Sequence, residues 1–318
     1  MVRLALQAMA TRFELVLHGD NPIALRAAGE EALREISLLE KQLSFYDSAS
    51  EISRINRKAT REPVRVHARV FALLKSAQEY HRLTKGAFDI SVGPLMRCWG
   101  FAGGSGAWPD AKALLEAHAK TGMHKVELDE TQCSIRFKQP GMLLDLGAIG
   151  KGYAIDEAAR ILRECGTMSA LLHGGTSTMI AIGAPPDSPA GWPVAVAHPA
   201  NPSKAMATVR LRDESMSVSA VSGKSFEYHG QTWGHVIDPR SGQPVQGAVL
   251  AAVTHPSATF CDALSTAYLA LEYKEMEQIT SKIHSIRSLI VYRKGEELEL
   301  MTSKMEAAPN VDLNGIHG

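Results

Sequence analysis

With 318 residues and 34 basic against 34 acidic side chains, the chain has no net charge that would draw it to nucleic acid or an anionic membrane. Its 45% hydrophobic and 21% charged residues are ordinary for a soluble globular enzyme with a substantial core. The four cysteines are scattered without metal-type spacing, which argues against a disulfide framework and predicts reduced, mostly buried thiols.

The first residues predict no export signal. They contain no sustained apolar region and no signal-peptide cleavage pattern, and no apolar run in the chain reaches membrane-spanning length. We therefore expect a cytoplasmic protein for the chain as given, or a periplasmic one if a leader precedes it in the natural protein. We expect neither a nucleic-acid partner nor a transmembrane segment.

Hydrophobic periodicity predicts the elements in chain order. They are a strand or hairpin at 3–18, helices at 23–43, 67–83 and 109–119, short strands near 124–128, 132–137 and 142–146, a helix at 149–165, strand-like segments from 168 to 256, helices at 258–271 and 273–284, and a hairpin at 287–301. Strands and helices are grouped rather than alternating, which predicts an α+β fold with mixed, largely antiparallel sheets and flanking helices.

A glycine-rich turn leads into the helix at 149–165. Glycines allow a ligand to approach the backbone, the helix start offers free N–H groups, and Lys151 adds a cation, so the turn suits a phosphate or pyrophosphate. The spacing is not that of a Walker A loop. A tight turn with a solvated lysine remains the alternative.

Two shorter segments are ambiguous. The pair Gly174-Gly175 favours close backbone approach, but it is also typical of a bulge or hairpin turn. His235 precedes an Asp-Pro-Arg-Ser-Gly turn and is a candidate general base, although a lone histidine is more often a structural hydrogen-bonding group. In the loop around 86–101, Trp99 and Phe101 either flank a planar ligand or pin the loop to the core.

Asp262 and Thr266 are four positions apart at the start of a predicted helix, so their side chains share one face. A carboxylate and a hydroxyl are hard oxygen ligands that suit Mg²⁺, provided that phosphate oxygens or backbone carbonyls complete the coordination. An aspartate near a helix start is also commonly a cap or a dipole partner.

Taken together and in order, these segments resemble the ApbE family of bacterial FAD:protein FMN transferases. The matching segments are Ala8-Met9-Ala10-Thr11, Leu43-Ser44-Phe45-Tyr46, 50–56, 86–91, 145–156, Gly174-Gly175, Ser222-Gly223, 235–244 and Asp262-Ala263-Leu264-Ser265-Thr266. The resemblance implies one catalytic unit at 1–302, either a single body or two intertwined lobes, followed by a surface or disordered tail at 303–318.

The resemblance also implies an activity: Mg²⁺-dependent transfer of FMN from FAD to a Thr or Ser hydroxyl of an acceptor flavoprotein, with release of AMP. A subunit of a redox-driven ion pump or a flavin reductase would be such an acceptor. By analogy with the family, the residues involved are the catalytic His235 and Asp262, the metal ligands Ala148, Asp262 and Thr266, and the flavin- or nucleotide-binding Met9, Tyr46, Asp89, Lys151, Asp156, Gly174, Gly175 and Ser222.

Two alternatives stay open, and three departures from the family pattern favour the second of them. Ala10 replaces a usual glycine, Thr176 a carboxylate and Val221 a hydroxyl, and small changes at a close-approach site can slow chemistry. The alternatives are an FAD pyrophosphatase that yields FMN and AMP, and an accessory protein that binds flavin without turnover.

Overall fold

The computed structural model describes residues 1–201, 203–295 and 297–305. The helices are α1 (Pro22–Leu43), α2 (Glu51–Lys58), α3 (Ala68–Leu83), α4 (Gly93–Cys98), α5 (Ala111–Ala119), α6 (Gly150–Glu164), α7 (Ala258–Ala270) and α8 (Tyr273–Lys282). The strands are β1 (Val2–Ala8), β2 (Thr11–His18), β3 (Val64–Arg65), β4 (Val126–Asp129), β5 (Ser134–Phe137), β6 (Ser169–Gly174), β7 (Thr178–Ile182), β8 (Trp192–Ala197), β9 (Ala205–Leu211), β10 (Ser215–Ala220), β11 (Ser225–Tyr228), β12 (Gln231–Gly234), β13 (Ile237–Asp238), β14 (Gln243–Pro244), β15 (Ala248–His255), β16 (Arg287–Lys294) and β17 (Glu297–Ser303).

One antiparallel sheet of eight strands organises the molecule, in the order β1-β2-β6-β7-β10-β15-β16-β17. Helices α1, α6 and α7 pack on one face of this sheet, and their apolar residues form the main core with it. A second apolar cluster, which includes the β8–β9 hairpin, lies against the other face. The predicted α+β class with antiparallel sheets is therefore confirmed.

Helix α7 occupies the centre of this arrangement and is buried around almost its whole circumference. It contacts α6 on one side and strands β10 and β15 on the other. A helix that is apolar all round is typical of a buried position. The polar side chains Asp262 and Ser265 are therefore buried in the core by the same helix, and each requires a hydrogen-bond partner.

Most predicted helices are confirmed within a few residues, but the strand predicted at 142–146 is wrong. Leu143 makes a single isolated bridge to Val92. The next residue, Leu144, exchanges both backbone hydrogen bonds with the Asn56 side-chain amide, at 2.7 and 2.9 Å. A side chain thus satisfies the backbone groups that a neighbouring strand would otherwise pair, which sequence periodicity does not reveal.

Other expectations need smaller corrections. Helix α4 lies in a segment predicted to be loop, and α7 ends at Ala270. The cysteines form no disulfide, but Cys261 alone is fully buried and Cys165 is exposed, so the prediction of mostly buried thiols is wrong. Most of the predicted tail, 306–318, lies outside the described residues, whereas β17 extends to Ser303 and Met305 is buried.

No helix within the described part of the chain combines the length and apolarity needed to cross a membrane.

The β1–β2 hairpin closes through a two-residue turn of strained conformation. Met9 and Ala10 have positive φ values of 51° and 57°, and Ala8 pairs with Thr11. Positive φ at both central residues defines a type I′ turn, which favours glycine or asparagine. The Ala10 departure from the family pattern therefore places a Cβ where the backbone disfavours one.

We expect Ala10→Gly to stabilise the protein. Glycine removes a left-handed penalty of about 1–2 kcal/mol and adds an entropic cost of about 0.5–1 kcal/mol, so the free energy of unfolding should rise by roughly 1 kcal/mol. Urea denaturation measures the change. Ala5→Gly, at an exposed position of β1, is the matched control and should destabilise. A loss of stability in both variants would contradict the inference that the backbone is strained at Ala10.

Candidate active site

The Asp262 carboxylate is 3% exposed and lies where α6, α7, β7 and β10 meet. Its Oδ2 accepts the backbone N–H of Gly152 at 2.9 Å. Its Oδ1 accepts the hydroxyls of Thr178 and Ser217 at 3.2 and 3.3 Å. The Lys151 ammonium lies 3.9 Å from Oδ1, beyond hydrogen-bonding distance but close enough for an ion pair. The hydrogen bonds to this buried carboxylate therefore come from neutral donors, and one cation lies beside it.

The carboxylate retains capacity for one more partner. An ionised carboxylate offers about four acceptor positions, and Gly152, Thr178 and Ser217 occupy three of them. On the next turn of α7, the Thr266 hydroxyl is half-buried and lies 3.1 Å from the Ser219 hydroxyl. Asp262 and Thr266 therefore lie four residues apart on helix α7, as predicted, and the Asp262 carboxylate has one open acceptor position.

The backbone carbonyl of Ala148 is also available. Helix α6 begins at Gly150 after Ile149 as N-cap, and no side chain caps it. The Gly152 N–H, which a continuing helix would direct at the Ala148 carbonyl, donates to Asp262 instead. Within the described residues, the Ala148 carbonyl accepts no hydrogen bond. One contact thus positions Asp262 and leaves a carbonyl free.

Close packing of two helices makes this contact possible. A Cβ on Gly152 would lie 2.3 Å from the Ala258 carbonyl oxygen and 2.8 Å from the Asp262 Cβ. Only glycine allows α6 to approach the first turn of α7 so closely. In the sequence, the glycines of this turn indicate access for a ligand to the backbone. At Gly152 the absence of a side chain also allows the two helices to pack.

His235 is half-buried, and its Nδ1 is buried without a hydrogen-bond partner within the described part of the chain. Burial lowers the pKa of His235 below its ordinary value. A backbone hydrogen bond at Lys224 opposes this decrease, and the charges of Lys224 and Lys151 add to it. The imidazole is therefore neutral at pH 7, with an unpaired ring nitrogen. These properties are those of a proton acceptor.

Sequence reasoning missed Asp145 as a candidate. It precedes the glycine turn, and its Oδ1 accepts the Gly147 N–H at 2.8 Å. Burial raises the pKa of Asp145, and the Lys224 charge opposes the increase. Burial and the Asp145 charge also raise the pKa of the exposed Tyr46. The Asp145 charge thus acts on Tyr46, and the acidic residue at the start of the glycine turn was the sequence signal for it.

Two of the predicted nucleotide-binding carboxylates make structural contacts. Asp156 accepts the N–H groups of Ala258 and Thr259 and both nearby hydroxyls, at 2.6–2.9 Å, and so anchors the start of α7. Asp89 is buried and accepts the Ser91 hydroxyl at 2.6 Å and the Met123 N–H at 3.0 Å. Their roles in binding nucleotide stay predictions.

The remaining predicted residues fall into two places. The Gly174-Gly175 pair ends β6 against the β1–β2 hairpin, where the Gly175 N–H donates to the Arg12 carbonyl at 2.8 Å. The half-buried Met9 lies in the turn of that hairpin. Ser222 is exposed, immediately before Gly223, where an added Cβ would lie 3.4 Å from the His235 ring.

In the loop around 86–101, Trp99 and Phe101 are fully buried and pin the loop to the core.

The donor set indicates the kind of ligand. No three His, Cys, Asp or Glu side chains within 1–201, 203–295 and 297–305 could hold a metal on their own. One carboxylate, one hydroxyl and one free carbonyl do suit a hard cation that completes its coordination with phosphate oxygens. The Lys151 ammonium suits the phosphates themselves, whereas the Gly150 and Gly152 N–H groups at the start of α6 already donate to the Leu146 carbonyl and to Asp262. The donors of the site therefore favour an enzyme that acts on phosphates.

Comparison with known proteins identifies its family. The model of the ApbE family matches residues 9–290. An FAD:protein FMN transferase of Klebsiella pneumoniae is 34% identical over 244 residues, covering 73% of each chain. Another, of Haemophilus influenzae, is 26% identical over 304 residues, covering 92% of this chain and 86% of the relative.

Comparison with solved structures leads to the same family. The ApbE protein of Thermotoga maritima matches with a TM-score of 0.84 at 26% identity, covering 95% of this chain and 97% of that one. The apo flavinyl transferase ApbE of Pseudomonas stutzeri matches with a TM-score of 0.83 at 27% identity, covering 95% and 94%. The chain belongs to the ApbE family, and it is an enzyme of the flavin transferase class.

Proposed function

We propose that the enzyme transfers FMN from FAD to a Thr or Ser hydroxyl of an acceptor flavoprotein, in a Mg²⁺-dependent reaction that releases AMP. The observation that carries this proposal is the buried Asp262 carboxylate with one open acceptor position, next to Lys151. The names of its relatives support FAD as the flavin donor and a protein as the acceptor.

Asp262, Thr266 and the Ala148 carbonyl would hold the Mg²⁺ ion. When bound, the ion supplies Lewis-acid stabilisation of charge that develops on the phosphate oxygens. Since the chain offers one carboxylate, oxygens of FAD must complete the coordination, and metal binding should be strongest with nucleotide present. The Lys151 ammonium would bind the pyrophosphate.

The reaction exchanges one phosphorus–oxygen bond for another. The acceptor hydroxyl oxygen forms a bond to the FMN-side phosphorus, and the bond from that phosphorus to the bridging oxygen breaks. AMP leaves with the bridging oxygen, and the hydroxyl proton passes to His235. The neutral imidazole of His235 suits this step.

The lowered pKa of His235 leads to a prediction about pH. Because burial disfavours the imidazolium, the transfer rate should stay level from pH 8 down to about pH 6.5, the ordinary histidine pKa. It should fall tenfold per pH unit only below the lowered pKa. His235→Gln should reduce the rate about 10²–10⁴-fold and abolish this acidic limb. A decline that begins above pH 7 would contradict the role of His235.

A product assay tests the function. The enzyme is incubated with FAD and Mg²⁺, with and without an acceptor domain, such as one from a redox-driven ion pump or a flavin reductase. We expect AMP together with covalent flavin fluorescence on the acceptor. AMP with free FMN would mean a pyrophosphatase, and absence of AMP a flavin-binding accessory protein. The cellular compartment stays a prediction.

A further inference from the structure

Strand β10 presents a row of hydroxyls to α7. Ser215, Ser217 and Ser219 alternate along the strand and therefore share one face. Ser215 and Ser217 are fully buried and Ser219 is half-buried. Since β10 packs directly against α7, this face opposes the helix that carries Asp262 and Thr266.

The spacing of the row matches the spacing of the predicted metal ligands. Two residues along a strand span about 6.8 Å, and four residues along a helix span about 6 Å. The Ser217 hydroxyl accordingly lies 3.3 Å from Asp262 Oδ1, and the Ser219 hydroxyl lies 3.1 Å from Thr266 Oγ1. Each side chain of the i, i+4 pair thus has a hydroxyl of β10 beside it, although the Ser219 hydroxyl also lies 2.8 Å from the Ser265 hydroxyl.

The neighbouring strand extends this arrangement. Thr178 on β7 is the register partner of Ser217. Its hydroxyl lies 3.1 Å from that of Ser217 and donates to Asp262 Oδ1 at 3.2 Å. Two hydroxyls from adjacent strands thus converge on one carboxylate oxygen. A carboxylate turns about two side-chain bonds, and donors fixed in a sheet limit that motion.

We propose that Thr178, Ser217 and Ser219 are positioning residues of the metal site, which hold Asp262 and Thr266 in the orientation that binds the ion. This inference rests on the proposed function. Hydroxyl donors suit the task because they satisfy the buried carboxylate without adding positive charge to that of Lys151, whose ammonium lies 3.9 Å from Oδ1. A lysine or arginine at these positions would compete with the metal.

The test measures metal affinity rather than turnover. Mn²⁺ is titrated into the full-length enzyme in the presence of ADP, which carries an adenosine and a pyrophosphate but no FMN, and free Mn²⁺ is followed by electron paramagnetic resonance. Thr178→Val and Ser217→Ala should weaken Mn²⁺ binding about 10–100-fold. Thr178→Ser retains the hydroxyl that Thr178→Val removes. Its Mn²⁺ affinity should therefore lie within about threefold of the wild type, a difference close to the uncertainty of measured interaction energies.

Ser215→Ala is the matched control, because this hydroxyl donates to the Pro256 carbonyl at 3.2 Å, away from both ligands. It removes the same group from the same strand face and should leave Mn²⁺ affinity unchanged. Urea unfolding of each variant verifies that it folds. Wild-type affinity in Thr178→Val and Ser217→Ala would overturn this inference alone, whereas a wild-type enzyme that binds no Mn²⁺ with ADP would overturn the metal site and this inference together.

Discussion

Asp262→Asn should reduce Mg²⁺-dependent FMN transfer by about 10³-fold, the scale of loss when one electrostatic stabiliser of developing charge is removed. The amide has the shape of the carboxylate and retains an acceptor for the Gly152 N–H or the nearby hydroxyls. It lacks the charge needed to hold a hard cation beside Lys151. The rate of AMP release and the covalent flavin on the acceptor are measured at saturating FAD.

Two comparisons make this result specific. Asp213→Asn places the same substitution in an exposed turn, where the residue accepts the Gly183 N–H, and should leave transfer unchanged. Raising the Mg²⁺ concentration should restore Asp262→Asn only in part, because Thr266, the Ala148 carbonyl and FAD oxygens remain as ligands but the charged one is lost. Transfer at the wild-type rate in Asp262→Asn would remove the metal assignment.

The sequence predicts the parts of this site that lie within one element. The pairing of Asp262 with Thr266 follows from helical periodicity, and Lys151 follows from the glycine turn that opens α6. Both are observed on helices at the expected positions. Periodicity along a single element is local information, so it needs no knowledge of the tertiary structure.

Contacts between distant segments were not predictable in the same way. The Gly152–Asp262 hydrogen bond joins residues 110 positions apart. Likewise, Asp145 and Asp156 lie at the two ends of the same segment, yet Asp145 accepts the Gly147 N–H within its own turn whereas Asp156 anchors the start of α7. Which way each carboxylate points depends on the helix that packs beside it, and a motif does not contain that information.

Gly152→Ala should lower the free energy of unfolding strongly, although it adds only one methyl group. Its Cβ would lie 2.3 Å from the Ala258 carbonyl oxygen, a backbone atom that cannot rotate away. Helices α6 and α7 would have to separate, although Asp156 ties them together at the same end. Overpacking of this kind costs about 1–3 kcal/mol and occasionally more, and a clash with a backbone atom belongs at the upper end of this range. That cost is a large fraction of the roughly 5–15 kcal/mol that stabilises a typical domain.

Gly150→Ala is the matched control two residues earlier in α6. The Cβ added there has its nearest neighbour, the Leu146 Cβ, at 3.9 Å, an ordinary contact. Alanine also favours a helix by up to about 1 kcal/mol over glycine, so this variant should be as stable as the wild type or more so. Urea unfolding compares the two variants, and equal stability would show that the helices do not depend on Gly152 to approach.

The same pair of variants links packing to chemistry. At a temperature where both variants are folded, Gly152→Ala should still transfer FMN more slowly than Gly150→Ala. Separation of the helices breaks the hydrogen bond from the Gly152 N–H to Asp262, and this hydrogen bond both positions Asp262 and leaves the Ala148 carbonyl free. Its apparent Mg²⁺ requirement should rise at the same time. Gly152 would then join stability and activity in one contact, since the glycine that lets two helices meet also positions the carboxylate that binds the ion.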